Sequence, residues 1–368
     1  MNREKLKSFM NLPAVKALMT TVFLLLIIWV GKLMVFKVDK FNPLGTALDN
    51  FHFSDIYFYW QKNSSNEAKG DIVIVNMANL HDRDEIATII DSINAHQSRV
   101  VAVDIIFPKT VSELASSDSH LVAAFNDCPN LVLAQRAVPV SEGNWNMERS
   151  FFADGHTEGV VNYSTGLVRT IGTTEAFGQK TFPTFAAQIV KQVGDLPAEK
   201  ERMIQFGGID FMIWTPKEEF DLDFLNNKIV IIGDTGDFRD WHDIPIGTTG
   251  RSRMSGVELH ALSTLTLLSP YHYREFSVFW SKIIQVIIIY LFCFCLHKWR
   301  PEATLDNWKQ VIIQIAFILV LMMVCYLLFR AFYLVCSPAL AIVGLGLAGF
   351  AKNLTDFICK KYFEEDSE

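Results

Sequence analysis

Excess positive charge is missing from this 368-residue sequence: 33 Lys and Arg stand against 40 Asp and Glu, a formal net charge of −7. Without a basic footprint, nucleic acid is excluded as a partner. Cysteine is scarce where it would matter. Of six, Cys293, Cys295, Cys325 and Cys336 lie in or beside apolar runs, Cys359 is in the C-terminal tail, and only Cys128 falls in the central polar region. One cysteine cannot close an internal disulfide there, and no CxxC or Cys/His spacing points to zinc. The GxSxG elbow, the Walker loop and the HExxH helix are absent. No loop carries the alternating acids and terminal Glu of an EF-hand. No enzymatic activity, cofactor or metal is therefore expected.

Apolar residues are what the sequence has in abundance. They make up 50% of it, against 20% charged, and the mean hydropathy is +0.22. That balance is too apolar for a soluble protein and too charged for a bare membrane bundle, so a soluble domain is expected together with spans. "AVKALMTTVFLLLIIWVGKLMVF", residues 14–36, is the first span. No small-residue cleavage site follows its apolar core, which favours an anchor over a signal peptide. Three more runs follow at 277–296, 311–329 and 331–351. Each approaches the ~20 residues that cross ~30 Å of hydrocarbon. Arg330 alone separates the last two, so a tight hairpin is expected. In the fourth span Gly344 and Ala348 fit either close helix packing or plain apolar filling.

Basic residues set the direction of these spans. Arg3, Lys5, Lys7 and Lys16 precede or enter the first, Lys298, Arg300 and Lys309 lie between the second and third, and Lys352, Lys360 and Lys361 follow the fourth. Lys32, Lys37 and Lys40 count the other way. The expected plan has a cytoplasmic N-tail at 1–13, an extracytoplasmic domain at 37–274, a cytoplasmic loop at 297–310 and a cytoplasmic tail at 352–368. The lipid bilayer is thus the first partner.

The segment 37–274 is ample for one α/β domain. "GDIVIVNM", "SRVVAVDIIF" and "NLVLAQ" read as buried strands, with helical spacing in "DRDEIATIIDSINAH" and "DSHLVAAFNDC" between them. The βαβαβ order predicts a parallel or mixed sheet with right-handed crossovers. Beyond it come "GVVNYSTGLVRTIG", read as hairpin-like, the helix "FPTFAAQIVKQV", the strand "NKIVIIG" and an amphipathic helix in "MSGVELHALSTLTLLSP". "FHFSDIYFYWQ" reads as an extra strand or short helix.

Ligands of open parallel sheets sit beyond the carboxyl ends of strands. Asp104 ends one strand, Asp234 follows another, and Asp237, Asp240, His242 and Asp243 continue that loop. They are candidate ligand-binding residues, although each acid also suits a turn or helix cap. His260, one turn past Gly256, is more often a core group than a ligand.

The order of these pieces resembles the second class of cyclase/histidine-kinase-associated sensory extracellular (CHASE) domains of bacterial receptors. "NKIVIIGDTGDFRDWHDIPIG…SGVELHALSTLTLL" carries the resemblance most specifically, and one span before the domain with three after it agrees. The resemblance implies that Asp104, Asp240 or Asp243, Pro245, Gly256, Glu258 and His260 occupy motif positions with structural roles. It also implies that the helix bearing Gly256, Glu258 and His260 couples the domain to the spans. Such receptors carry a kinase or cyclase after the last span, whereas "KNLTDFICKKYFEEDSE" is too short to fold alone. The expectation is a sensory-type protein of the bacterial inner membrane, its large domain periplasmic or outside. It would act through other membrane or envelope proteins, as a homo- or hetero-oligomer. The alternative is a non-sensing docking subunit of a membrane complex.

Overall fold

A computed structural model describes residues 8–37, 52–62, 67–78, 82–108, 115–141, 143–163, 166–207, 209–216, 221–245, 253–299 and 308–364. The chain divides into two compact units, Asp55–Tyr273 and the combination of Met1–Ser54 with Arg274–Glu368.

The first unit is built on a seven-stranded sheet. Its strands are β1 (Glu67–Asn76), β2 (Val100–Val103), β3 (Leu131–Ser141), β4 (Asn144–Arg149), β5 (Thr157–Val160), β10 (Ile209–Trp214) and β11 (Ile229–Gly233). They run in the order β10-β1-β11-β2-β3-β4, with β5 also paired to β3. All pairings are parallel except β3 with β4. The βαβαβ reading thus holds, with one feature that local pattern does not reveal: β11, from far along the chain, inserts between β1 and β2.

Side-chain alternation explains why helices cover both faces. Val73, Val75, Val101, Val103, Leu133, Val230 and Ile232 face α3 (Arg83–Ala95) and α4 (Ala115–Asn126). Their neighbours Ile72, Ile74, Val100, Ala102, Val132, Ile229 and Ile231 face α5 (Phe185–Val193) and α6 (Gly256–Leu268). Asp82 caps α3 by accepting from Asp84 N, and Thr184 caps α5 through Ala187 N. The aromatic segment is helix α2 (Phe53–Lys62), whose Phe58 packs edge-on against Phe206 and Tyr273.

Two readings of local pattern fail here. "GVVNYSTGLVRTIG" is no hairpin: β5 joins β3, while β6 (Thr170–Gly172) pairs with β9 (Glu201–Met203). The antiparallel pair nearest to it in sequence comes just afterwards, β7 (Thr174–Phe177) with β8 (Lys180–Pro183). Nor is α6 amphipathic: Val257 and His260 on one side and Leu259, Leu262 and Thr266 on the other are buried, and only Glu258, Leu265 and Leu268 are partly exposed. With no fully exposed face, it needs no polar stripe.

The second unit holds four helices long and apolar enough to cross a bilayer. They are α1 (Pro13–Lys37), α7 (Val278–Trp299), α8 (Trp308–Phe332) and α9 (Ala339–Cys359). The fourth starts later than residue 331 and runs past 351. Between α8 and α9 the chain is extended, with β15 (Leu334–Val335) pairing in parallel with β14 (Arg274–Glu275). Pro338 explains the shift, because the residue before proline avoids the helical region. Gln285 of α7 then supplies the cap α9 lacks, its Oε1 accepting from Ala341 N at 3.0 Å. Gly344 fits the close-packing reading: a Cβ there would lie 2.5 Å from Ile289 Cδ1. Lys352 is buried and pairs with Asp356 at 2.7 Å, and Thr20 meets both His297 Nε2 and Thr355 Oγ1 at 2.9 Å.

Candidate functional site

The carboxyl ends of β1, β11 and β2 lie side by side. Met77 N donates to Gly233 O at 2.9 Å, and Asp104 N to Ile232 O at 2.8 Å. Alternation continues one residue past β2, so Asp104 points to the same face as Val100 and Ala102, toward α6. Gly233 on β11 makes that approach possible. A Cβ on it would stand 3.0 Å from Val257 Cγ2 and 3.3 Å from Asp104 Cβ.

Side chains from several elements converge on the first turns of α6. His260 is 3% exposed; its Nδ1 lies 2.9 Å from the Tyr163 hydroxyl, which also meets Ser263 Oγ at 3.0 Å. The Tyr163 ring stacks on the imidazole at 4.9 Å, and Phe185 closes the other side at 5.2 Å. Asp104 Oδ2 lies 3.9 Å from His260 Nε2, beyond hydrogen-bonding reach. Asp240 approaches from the loop after β11, and its carboxylate takes the space a Cβ on Gly256 would need. A negative charge is favourable there, at the N-terminus of a helix. His242 adds its ring to Tyr163 at 5.1 Å.

Burial decides the charge state of this cluster. It pushes the Asp104 carboxyl well above its usual range, and nearby Asp240 adds to that. It pushes His260 down to about 3, with His242 helping and Asp240 opposing. Tyr163 is likewise raised by burial. Burial thus favours the uncharged form of all three: the protonated Asp104 carboxyl, the neutral His260 imidazole and the Tyr163 phenol.

The other acids singled out from sequence are held locally. Asp234 Oδ1 accepts from Gly236 N at 2.7 Å. Asp237 caps the short turn Phe238–Asp240 and binds the Arg239 guanidinium, which holds its carboxyl below the usual range. Asp243 pairs with Arg253 at 3.2 Å across β12 (Trp241–Asp243) and β13 (Arg253–Ser255). Glu258 closes a capping box with Ser255 on its own helix. The structure thus gathers Asp104, Asp240, His242, Gly256 and His260, and leaves Asp234, Asp237, Asp243 and Glu258 in turns, strand pairs and caps. Among the described residues, no three His, Cys, Asp or Glu side chains are placed to share a metal ion.

Sequence reasoning missed three contributors. Tyr163 and Ser263 meet across nearly 100 residues, with no spacing to mark them. Arg202, 7% exposed, reaches the far end of α6. Its Nη1 donates to Ser269 O at 2.7 Å and to Thr266 O and Leu267 O at 3.3 Å, while Nη2 binds Glu199 at 2.9 Å. Helix α6 is thus held at both ends by charge, Asp240 at its N-terminus and Arg202 at its C-terminus.

Compared with known families, the chain matches the CHASE2 domain over residues 21–296. Neither the curated proteins nor the solved structures include a match.

Proposed function

This chain belongs to the CHASE2 domain family, and from that premise we propose that it is a bacterial inner-membrane protein whose sensory-type domain lies outside the cytoplasm and works through a partner protein. It is a multi-pass membrane protein with its large domain between the first and second spans. The placement of basic residues supports a cytoplasmic side for 1–13, 297–310 and 352–368.

The observation that carries the proposal is the way α6 is held. It is buried on every face but the half-buried one of Glu258 and Leu265, and its His260 is bonded to Tyr163. Its chain continues through Ser269–Tyr273 directly into β14 and α7. An element held this way, with one exit, can bias the segment it leads into. The same cluster argues against catalysis. Ser263 is fully buried, and a histidine at about 3 is a poor general base at neutral pH.

A second reading is a non-sensing docking subunit of a membrane complex. It is favoured by the closure of the cluster, in which Tyr163, His260 and Ser263 satisfy one another without a ligand. Two experiments address these readings. Protease added to intact spheroplasts should remove the 55–273 domain; cleavage only after lysis would reverse the orientation. A flexible Gly/Ser insert between Pro270 and Ser277 carries little orientation and should abolish partner function at normal expression. Retained function would leave docking as the better account.

A further inference from the structure

The two edges of the seven-stranded sheet are treated differently. At the β3–β4–β5 end, charges guard the edge: Arg136 pairs with Glu148 at 2.7 Å, and Arg149 pairs with Asp154 at 3.0 Å and with Glu158. Charged side chains are the usual protection of an exposed edge. At the other end lies β10, with sequence IDFMIW. It pairs with β1 on one side, and among the described residues no strand pairs its other side. It carries one charge, Asp210, with no Lys or Pro, and exposes Met212 (38%) and Ile213 (45%). An apolar edge that no described strand covers is a template for another strand.

The sequence of β10 selects its occupant. We propose that β10 pairs antiparallel with β10 of a second copy of this chain, about a two-fold axis through Met212, joining the two sheets into one. A two-fold contact uses the same patch from both copies. Centred on Met212, the pairing sets Phe211 against the partner's Ile213 and Asp210 against the partner's Trp214. Aromatic residues opposite β-branched ones are favourable cross-strand pairs. The two Asp210 carboxylates then stand roughly 13 Å apart along the strands, beyond the ~10 Å screening length at 0.1 M salt. A pairing centred on Asp210 would instead bring like charges into direct opposition, which is destabilising. Six residues of edge make a contact well below the ~1,200 Å² of a stable interface. The association is therefore weak in solution and depends on both copies being confined to one bilayer, as tethering raises effective concentration.

The test uses the full-length chain in its native membrane. Met212→Cys places two thiols on the axis, where opposed Cα atoms are about 4.5–5.5 Å apart and within disulfide reach. Asp210→Cys places them roughly 13 Å apart, out of reach. Under mild oxidation, at least a tenfold excess of disulfide-linked dimer from Met212→Cys over both Asp210→Cys and the unaltered chain is expected. Should Met212→Cys fail to accumulate, Phe211→Cys co-expressed with Ile213→Cys reads the same register as a mixed dimer. No excess at these positions, or equal cross-linking at Asp210→Cys, would overturn the proposal.

Discussion

Replacing Arg202 with methionine isolates the C-terminal hold on α6. Methionine keeps most of the apolar stem, so the change removes the guanidinium rather than the packing. One short bond, to Ser269 O at 2.7 Å, two longer ones, to Thr266 O and Leu267 O at 3.3 Å, and the partly exposed pair with Glu199 at 2.9 Å, which adds little, are lost. A hydrogen bond to a charged group contributes about 1.5–3 kcal/mol, and a cation at a partly buried helix C-terminus adds up to ~2 kcal/mol. Against this, Arg202 Nε is buried with no hydrogen-bond partner among the described residues, a cost the substitution relieves. Setting that relief of about 1–2 kcal/mol against the losses leaves a destabilisation of about 3 kcal/mol. For a domain of this size, that lowers Tm by roughly 6–12 °C. Thermal unfolding of the 55–273 unit, followed by circular dichroism, measures it. A loss below about 2 °C would refute the reasoning, because these contacts together would then contribute no more than an exposed pair.

Other outcomes rest on the same contacts. The raised Asp104 carboxyl holds its proton more tightly folded than unfolded, so its stabilising contribution fades as pH rises above 3.8. His260, pushed down from 6.5 to about 3, contributes stability that is lost as pH falls through that interval. The two slopes oppose each other above 3.8, so Asp104→Asn should make urea stability climb more steeply toward pH 6.5 than in the unaltered unit; identical slopes would contradict the uncharged pair. Gly344→Val places atoms where Ile289 Cδ1 stands 2.5 Å from an ideal Cβ. Overpacking of this kind costs about 1–3 kcal/mol, and the full chain in detergent should lose its fold at lower temperature; unchanged melting would mean that α7 and α9 pack less closely.

The parallel sheet was legible because each strand is a short apolar run, and period-2 alternation then assigned its residues to two faces. The place of β11 was not, since pairing between distant segments leaves no local trace. Helix α6 misled for a related reason: buried over most of its surface, it lacks the polar stripe by which helical faces are recognised. The fourth span was misplaced because "FYLVCS" is as apolar as the helix after it, and only Pro338 marks the boundary. Within the site, Asp104, Gly256 and His260 stood out through strand-end position and motif. Tyr163 and Arg202 did not, because ordinary polar residues in short strands and loops gain meaning only from partners far along the chain.

The central claim is that the state of the cluster beneath α6 reaches the membrane helices through the chain that joins them. Hydrogen–deuterium exchange of the full chain in lipid nanodiscs tests this most directly. Replacing His260 by asparagine should disturb the contact with Tyr163. Amide exchange in β14 and β15, where Arg274 N binds Tyr333 O and Phe276 N binds Val335 O, should then quicken by several-fold. The same substitution in a chain carrying the Gly/Ser insert between Pro270 and Ser277 should leave that exchange at its unaltered rate. Exchange in β14 and β15 that ignores His260 in the uninterrupted chain would contradict the account.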